Sequence, residues 1–446
     1  MTIKRVLIFL CALNLSFTLN SSYALAAKIK STPTRISVRA LTMGGVRAFP
    51  EAEGFGAETK GGRGGKIYVV DTLNWRGPGS LGDALLAKEP RIIVFRVSGV
   101  INVTEGIELD ESNSFVTVAG QTSPGGITLT GSPGAFISSY QKNFHDAVFR
   151  FLRFRGRGNY DNIQLNQVHH IVIDHCDFSG GTDESFDITH GSDYTVQWTT
   201  ITNSDPSGQN YGALLAYPPN SRISWHHNLL AHHKNRCLAH MHWGAPPAPE
   251  DNTLVDMRNN LVYNCAFDAI MYNNDPGANA GRISFNLVNN YFKAGPDTPG
   301  TAYDYSLGTT GIKTYESGTV YEGGARRNIN NQTAATTMAP VTTYTSTQAY
   351  DMVLQKVGAF PRDPMNTRVV NEMKTKTGRL GKLDDAYLAG GATAPADGDR
   401  DGMPDAWESS RGLNPASAAD ASLDRNSDGY TNIEEYINEL AASLIP

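Results

Sequence analysis

Phe149-Arg-Phe151, Ile171-Val-Ile173, Val196-Gln-Trp198, Ile223-Ser-Trp225, Val255-Asp-Met257 and Ile283-Ser-Phe285 form a series of short apolar pairs. Two apolar side chains spaced by two fall on one face of an extended strand. Val116-Thr-Val118 belongs to the same set. From Phe149 the pairs advance by 22, 25, 27, 32 and 28 residues. A β-sandwich would repeat its strands about every 8–12 residues. The longer, near-regular advance, with Asn, Asp, Gly and Ser between the runs, predicts stacked coils of a parallel β-solenoid. Asn259-Asn260 and Asn289-Asn290 suit its turns, because asparagine tolerates left-handed backbone angles.

Composition agrees. The chain has 446 residues, too many for one compact core of ordinary size unless the fold is elongated. Only 18% of residues are charged, and 44 glycines with 22 prolines make turns frequent. Nineteen tyrosines, 17 phenylalanines and 5 tryptophans supply apolar surface that disordered chains lack. The net charge of −6 argues against nucleic acid as a partner.

Lys4 and Arg5 precede an apolar run from Val6 to Leu19, and Ala24-Leu25-Ala26 offers small residues around a cleavable bond. Residues 1–26 therefore read as a signal peptide cleaved near Ala26, which predicts secretion. The run is shorter than the roughly 20 residues of a spanning helix. No membrane partner is expected. Cleavage leaves Cys176, Cys237 and Cys265, so one internal disulfide at most can form, and buried thiols are the preferred reading.

The solenoid is expected over residues 27–346. Tyr350, Val353, Leu354 and Val357 have helical spacing and predict a helical segment over 347–389, packed on the solenoid. Residues 390–396 read as a linker, and 397–446 as a tail module.

That tail holds two similar loops, 27 residues apart. Asp397, Asp399, Asp401, Asp405 and Glu408 occupy positions 1, 3, 5, 9 and 12 of the first, with Gly402 at position 6. Asp424, Asn426, Asp428, Asn432 and Glu435 repeat the arrangement, with Gly429 at position 6. Calcium takes six to eight oxygens around a sharp glycine turn, with a bidentate carboxylate at the end of the loop. Both loops predict Ca²⁺, as a structural clip rather than as a docking module for a scaffold protein.

In the body, Asp174-His175 ends a strand, and Asp161, Asp183 and Asp187 recur at spacings that can stack them on adjacent coils. Fully extended, Asp183 and Asp187 would lie roughly 13 Å apart, so a shared ion demands a bend. Gathered carboxylates repel unless a cation sits among them. Trp225-His226-His227-Asn228 through His232-His233-Lys234-Asn235-Arg236 is rich in histidine, but adjacent histidines on a strand face opposite ways. A stacked His or Asn ladder explains them better than zinc does.

Further motifs carry a family resemblance. Ala48-Phe49-Pro50-Glu51-Ala52-Glu53-Gly54-Phe55-Gly56-Ala57, Gly61-Gly62-Arg63, Tyr68-Val69-Val70 and Gly79-Ser80-Leu81-Gly82-Asp83-Ala84-Leu85 resemble the opening of secreted pectate lyases of the first polysaccharide-lyase family. Val172-Ile173-Asp174-His175 and the segment His226 to Arg236 resemble that family's internal signatures. The similarity spans about residues 46 to 380, and the tail resembles calcium-loop tails found on some members.

The resemblance implies an all-β fold, a right-handed single-stranded parallel β-helix, with the small calcium-loop module at its C-terminal end. It implies cleavage of α-1,4-linked polygalacturonate by calcium-dependent β-elimination to 4,5-unsaturated oligogalacturonates; a monomer is expected. Asp161, Asp183 and Asp187 fall on the family's calcium-ligand positions, Asn159 stands where some members have an acid, and Arg236 matches the arginine of proton abstraction. The chain departs from the pattern where basic residues are expected: Asn210, Thr189 and the stretch from Leu238 stand in their places. Lys234, His240 and His242 are the substitutes expected to hold substrate. The alternatives are a catalytically weakened polyuronate-binding protein or a lyase for methyl-esterified pectin.

Overall fold

Alternation builds a strand whose inner residues repeat from coil to coil, and the computed structural model stacks these strands in parallel. It describes residues 45–446 except 219, 243–251, 275–282, 300–302, 308–311 and 330; the side chains of 159, 217, 241, 242, 268, 271–274, 303–307 and 325–328 are likewise outside the description. The signal-peptide reading of residues 1–26 falls outside the described residues.

Among the described residues every third strand pairs with the next coil's equivalent, giving one ten-stranded and two nine-stranded sheets. The solenoid strands run from Lys66–Val70 to Ala325–Ile329. All pairings are parallel, for example Ile171 with Tyr194, Tyr194 with Ile223 and Ile223 with Val255 in the first sheet. The three inner faces share one apolar core, in which Trp225, Tyr194 and Phe136 are fully buried. Each such side chain contributes roughly 2–3 kcal/mol on leaving water.

Three of the sequence pairs are out of register by two residues. Ala147/Phe149, Tyr194/Val196 and Phe285/Leu287 are the inward pairs, rather than Phe149/Phe151, Val196/Trp198 and Ile283/Phe285. Phe151 and Trp198 stand one residue past their strands with φ of 57° and 50°, at the turn position that His175, His227, Asn259 and Asn289 also occupy. There they stack outside the core: Phe151 on His175 (5.0 Å), His175 on Trp198 (5.9 Å) and Trp198 on His227 (4.4 Å). One residue on, Asn228, Asn260 and Asn290 form a buried amide ladder, with Asn260 Nδ2 donating to Asn290 Oδ1 at 3.0 Å. The histidine-rich stretch thus feeds two ladders.

Helices Ser346–Lys356 and Pro364–Thr375 lay Val353, Leu354, Val369 and Met373 on outward-facing Leu229, Ala231, Leu261 and Tyr263. The linker is pinned, with Ala392 N–H donating to Ser98 Oγ at 3.0 Å. In the tail, Met403, Ile433 and Ile437 pack on Ile92, Val94 and Ala119 of the solenoid. Among the described residues no helix is long and apolar enough to cross a membrane. Cys237 and Cys265 form a disulfide between neighbouring coils and Cys176 is a buried thiol, which corrects the all-thiol reading for the first two. Residues 28 apart in sequence meet because they lie just before strands Leu238–His242 and Asp268–Asn274, which pair on neighbouring coils.

Candidate active site

Four turns stack along the edge where strands Leu152–Asn159, Asp177–Gly181, Thr200–Thr202 and Leu229–Ala231 lead into Ile163–Asn166, Glu184–Thr189, Tyr211–Tyr217 and Leu238–His242. Backbone bonds tie each turn to the next. Asp183 N–H donates to Tyr160 O (3.0 Å), Gln209 N–H to Thr182 O (2.6 Å), Lys234 N–H to Asn210 O (3.1 Å) and Gly212 N–H to Arg236 O (3.0 Å). This column carries Asp161, Asp183 and Arg236 to one edge although 75 residues of sequence separate the first from the last.

Asp161 Oδ1 accepts from Glu184 N–H at 2.9 Å and its Oδ2 from Gln164 Nε2 at 3.2 Å. Asp187 lies opposite Gln164 on the next coil. Asp183, still in the turn before the straight strand Glu184–Thr189, accepts from Gln209 Nε2 at 2.6 Å. Burial raises Asp161 to about 7 despite the bond from Glu184, with the charge of Asp183 adding to it. Burial, then Asp183 and Asp161, push Glu184 to about 8 while Arg236 pulls it back. Burial and the neighbouring acids push Asp187 well above the usual carboxylate range. A hydrogen bond to Asp183 lifts the Tyr160 hydroxyl to about 12.

Two buried oxygens of the cluster, Asp187 Oδ1 and Glu184 Oε1, have no hydrogen-bond partner. Carboxylates that repel one another while presenting orphaned oxygens suit a hard divalent cation. Among the described residues, the acidic triads whose oxygens lie within 4.8 Å of one another are in the tail, so the body cluster is the wider of the two.

Arg236 closes the column with φ of 47°. Its Nη1 lies 3.5 Å from Glu184 Oε1, an ion pair too long to satisfy that oxygen as a hydrogen bond. The guanidinium sits 4.3 Å over the ring of Tyr211, and Arg236 N–H donates to Asn235 Oδ1 at 2.8 Å. The disulfide at the adjacent Cys237 anchors this turn to the next coil.

Lys234 is exposed two residues before Arg236. His240 is corrected: it is fully buried against the ring of Phe285 at 5.0 Å and cannot meet a polymer. Strand parity explains the error, since residue 240 faces the core. The side chain of His242 is outside the described residues. Asn210 and Thr189 serve the scaffold, Asn210 Oδ1 accepting from Lys234 N–H at 3.1 Å and Thr189 Oγ1 from Asn166 Nδ2 at 2.8 Å. Asp174 and His175 pair at 2.9 Å, with Arg150 Nε donating to Asp174 at 2.8 Å. They face a cavity of about 430 Å³ under the tail instead of the acid cluster.

The sequence did not single out Glu184, the first residue of its strand; its neighbour Asp183 is still in the turn, so strand alternation does not separate the two. Tyr211 carried no signal at all.

The two tail loops share a backbone. Position 4 has φ of 64° at Arg400 and 61° at Ser427, and position 6 has 92° at Gly402 and 98° at Gly429. In the first, Asp397, Asp399 and Asp401 converge, and Asp401 converges again with Glu408 and with Asp420, a residue outside both loops. Asp405 is turned to Gly398 N–H at 2.6 Å. In the second, Asp424 bonds Ser427 and Gly429 N–H, Asn426 donates to Asp428 at 3.1 Å, Glu435 lies 3.4 Å from Arg425, and Asn432 donates to Asp420 O at 2.8 Å.

Fold and site together define a parallel β-solenoid enzyme whose edge sets a guanidinium beside gathered carboxylates. The chain belongs to the pectate lyase family. It is 33% identical over 424 residues to a probable pectate lyase C of Aspergillus terreus, covering 89% of this chain and 94% of that one. It is 31% identical over 422 residues to a probable pectate lyase C of Emericella nidulans, covering 88% and 92%. Among solved structures, a Bacillus pectate lyase in complex with trigalacturonate matches at 17% identity, 69% of this chain, 98% of that chain and a TM-score of 0.44. No family model matches the chain.

Proposed function

We propose that this enzyme cleaves α-1,4-linked polygalacturonate outside the cell by calcium-dependent β-elimination, releasing 4,5-unsaturated oligogalacturonates. The observation that carries the reading is the Arg236 guanidinium 3.5 Å from Glu184, at the rim of the cluster formed with Asp161, Asp183 and Asp187. Asp161, Asp183 and Asp187 would hold the ion, with Glu184 beside them. When bound, calcium would offset the negative charge of the sugar's carboxylate and so make the C5 proton more acidic.

Arg236, in its neutral form, would accept that proton. The electron pair left at C5 would form the C4–C5 double bond as the C4–oxygen bond breaks, and the expelled oxygen would take a proton from solvent. A guanidinium loses its own proton only above about pH 12 in water. Glu184, once ionised above about pH 8, opposes that loss, so offsetting the charge of the cluster frees Arg236 for the task. Tyr211 and the anchored turn hold the guanidinium in place meanwhile. Lys234 is positioned to meet a further substrate carboxylate, which a chain of net charge −6 needs when its ligand is a polyanion. The tail, seated on the solenoid, supports a clip in preference to a scaffold-docking module.

The test follows the ultraviolet absorbance of unsaturated uronate ends. The protein with polygalacturonate and calcium should raise it, and a chelator or Arg236→Ala should abolish the rise. New reducing ends without absorbance would mean hydrolysis, and neither signal would leave a binding protein.

A further inference from the structure

The first tail loop is more deeply buried than a surface calcium loop needs to be. Glu408 is fully buried and neither of its carboxylate oxygens has a hydrogen-bond partner. Asp401 is 1% exposed with Oδ2 likewise unpartnered. Asp397 Oδ1, Asp399 Oδ2 and Asp420 Oδ1 are orphaned around them. Arg96 pairs with Asp397 at 3.0 Å; among the described residues no basic side chain pairs with Asp399, Asp401, Glu408 or Asp420. A buried carboxylate with neither cation nor hydrogen bond is strongly disfavoured, and here several face one another.

We propose that one calcium ion binds in this first loop, that Asp420 completes its shell from outside the loop, and that the ion fastens the tail to the solenoid. This refines the reading of the tail as a calcium clip. The donor set is all oxygen, has a glutamate placed to bind through both atoms, and offers more oxygens than octahedral magnesium takes from protein alone. Acids of both loops accept from loop N–H groups, and Glu435 Oε1 in the second is also unpartnered. There, however, Arg425 lies 3.4 Å from Glu435 and Asn426 donates to Asp428, whereas Glu408 is fully buried with both oxygens orphaned. Asp420 also accepts from Asn432 through its carbonyl, so the ligand from between the loops is tied to the helix Asn432–Leu444.

Both sides of the first loop touch the solenoid. Asp397 is held by Arg96, and Met403, two residues past Asp401, is fully buried among Ile92, Val94, Ile433 and Ile437. Gly402 lies so close that a Cβ there would meet Val94 Cγ2 at 2.8 Å. Filling the loop with an ion therefore sets the position of Met403 and of the apolar contact beneath it. Without the ion, repulsion among the acids acts directly against that contact.

The experiment is hydrogen exchange with mass-spectrometric readout on the full-length protein, stripped with chelator and titrated with calcium. Peptides covering 397–412 and 432–444 should slow at least tenfold. Asp420→Asn should raise the calcium concentration at the midpoint at least tenfold, whereas Glu435→Gln in the second loop should change it less than twofold. Glu408→Gln should be as protected in chelator as the parent with its charge intact, or more so, and indifferent to calcium, because the substitution removes the buried charge that the ion offsets. An unchanged midpoint in Asp420→Asn, exchange indifferent to calcium in the parent, or a larger effect of Glu435→Gln would each overturn the proposal. The readout is independent of turnover, so an inactive protein whose tail still responds would sink the lyase reading and leave this one standing.

Discussion

Removing calcium and raising the pH should destabilise this enzyme, and the size of the effect follows from the acid cluster. Asp161 is raised to about 7 and Glu184 to about 8 in the fold, whereas both return to ordinary values near 4 when it unfolds. From about pH 4 until these groups have titrated near about pH 9, the folded protein holds protons that the unfolded chain has already lost, so stability falls as pH rises across that range and then levels off. The buried histidines have the opposite sign, because burial lowers His226 to about 3 and His233 to about 4. Their contribution is complete once the unfolded chain's imidazoles are neutral, so above about pH 7 they add no slope. Between about pH 7 and about pH 9, Asp161 and Glu184 together should cost about 2 kcal/mol, and Asp187 adds to the loss. At about 2.1 cal/mol/K per residue over roughly 400 ordered residues, that lowers Tm by at least about 2 °C. Calorimetry in excess chelator across this range measures it. Calcium should flatten the slope, and so should Asp187→Asn. A chelated protein that grows more stable with pH, or an Asp187→Asn variant with an unaltered slope, would refute the reasoning.

Arg236→Lys should lower turnover at least about 100-fold, as expected for a lost proton acceptor, while calcium affinity measured by titration stays within twofold. The pH profile of kcat should rise into the alkaline range, and full activity at about pH 5–6 would count against a guanidinium base. Asn260→Ala should cost about 1–3 kcal/mol in chemical denaturation, because it removes the acceptor of the buried Asn228 N–H and the side-chain bond to the carbonyl of Trp225.

What could be read from the sequence was what repeats. Coil length, the Asn turns and the stacking of Asp161 near Asp183 all depend on a period, and a period survives without coordinates. The phase of that period was harder to read. Phe151 and Trp198 are as apolar as any core residue, and only the positive φ of their turn turns them outward to stack with His175 and His227. Asp183 lies in a turn, where strand parity does not hold, which hid the approach of Glu184, the first residue of the strand after it. The same limit hid Asp420, which reaches the first tail loop from between the two sequence motifs. His240 was the reverse case: its chemistry suggested substrate, and strand parity put it in the core. The disulfide joins residues whose meeting depends on coil register, which cysteine count alone does not supply.

The most direct measurement is a crystal structure of the Arg236→Lys protein soaked with calcium and an oligogalacturonate, with the ion located by anomalous scattering. The account predicts an ion within about 2.3–2.6 Å of oxygens from Asp161, Asp183, Asp187 and a uronate carboxylate, with residue 236 facing C5 of the sugar. Anomalous density confined to the tail, with the sugar bound away from Asp161, Asp183 and Asp187, would contradict it.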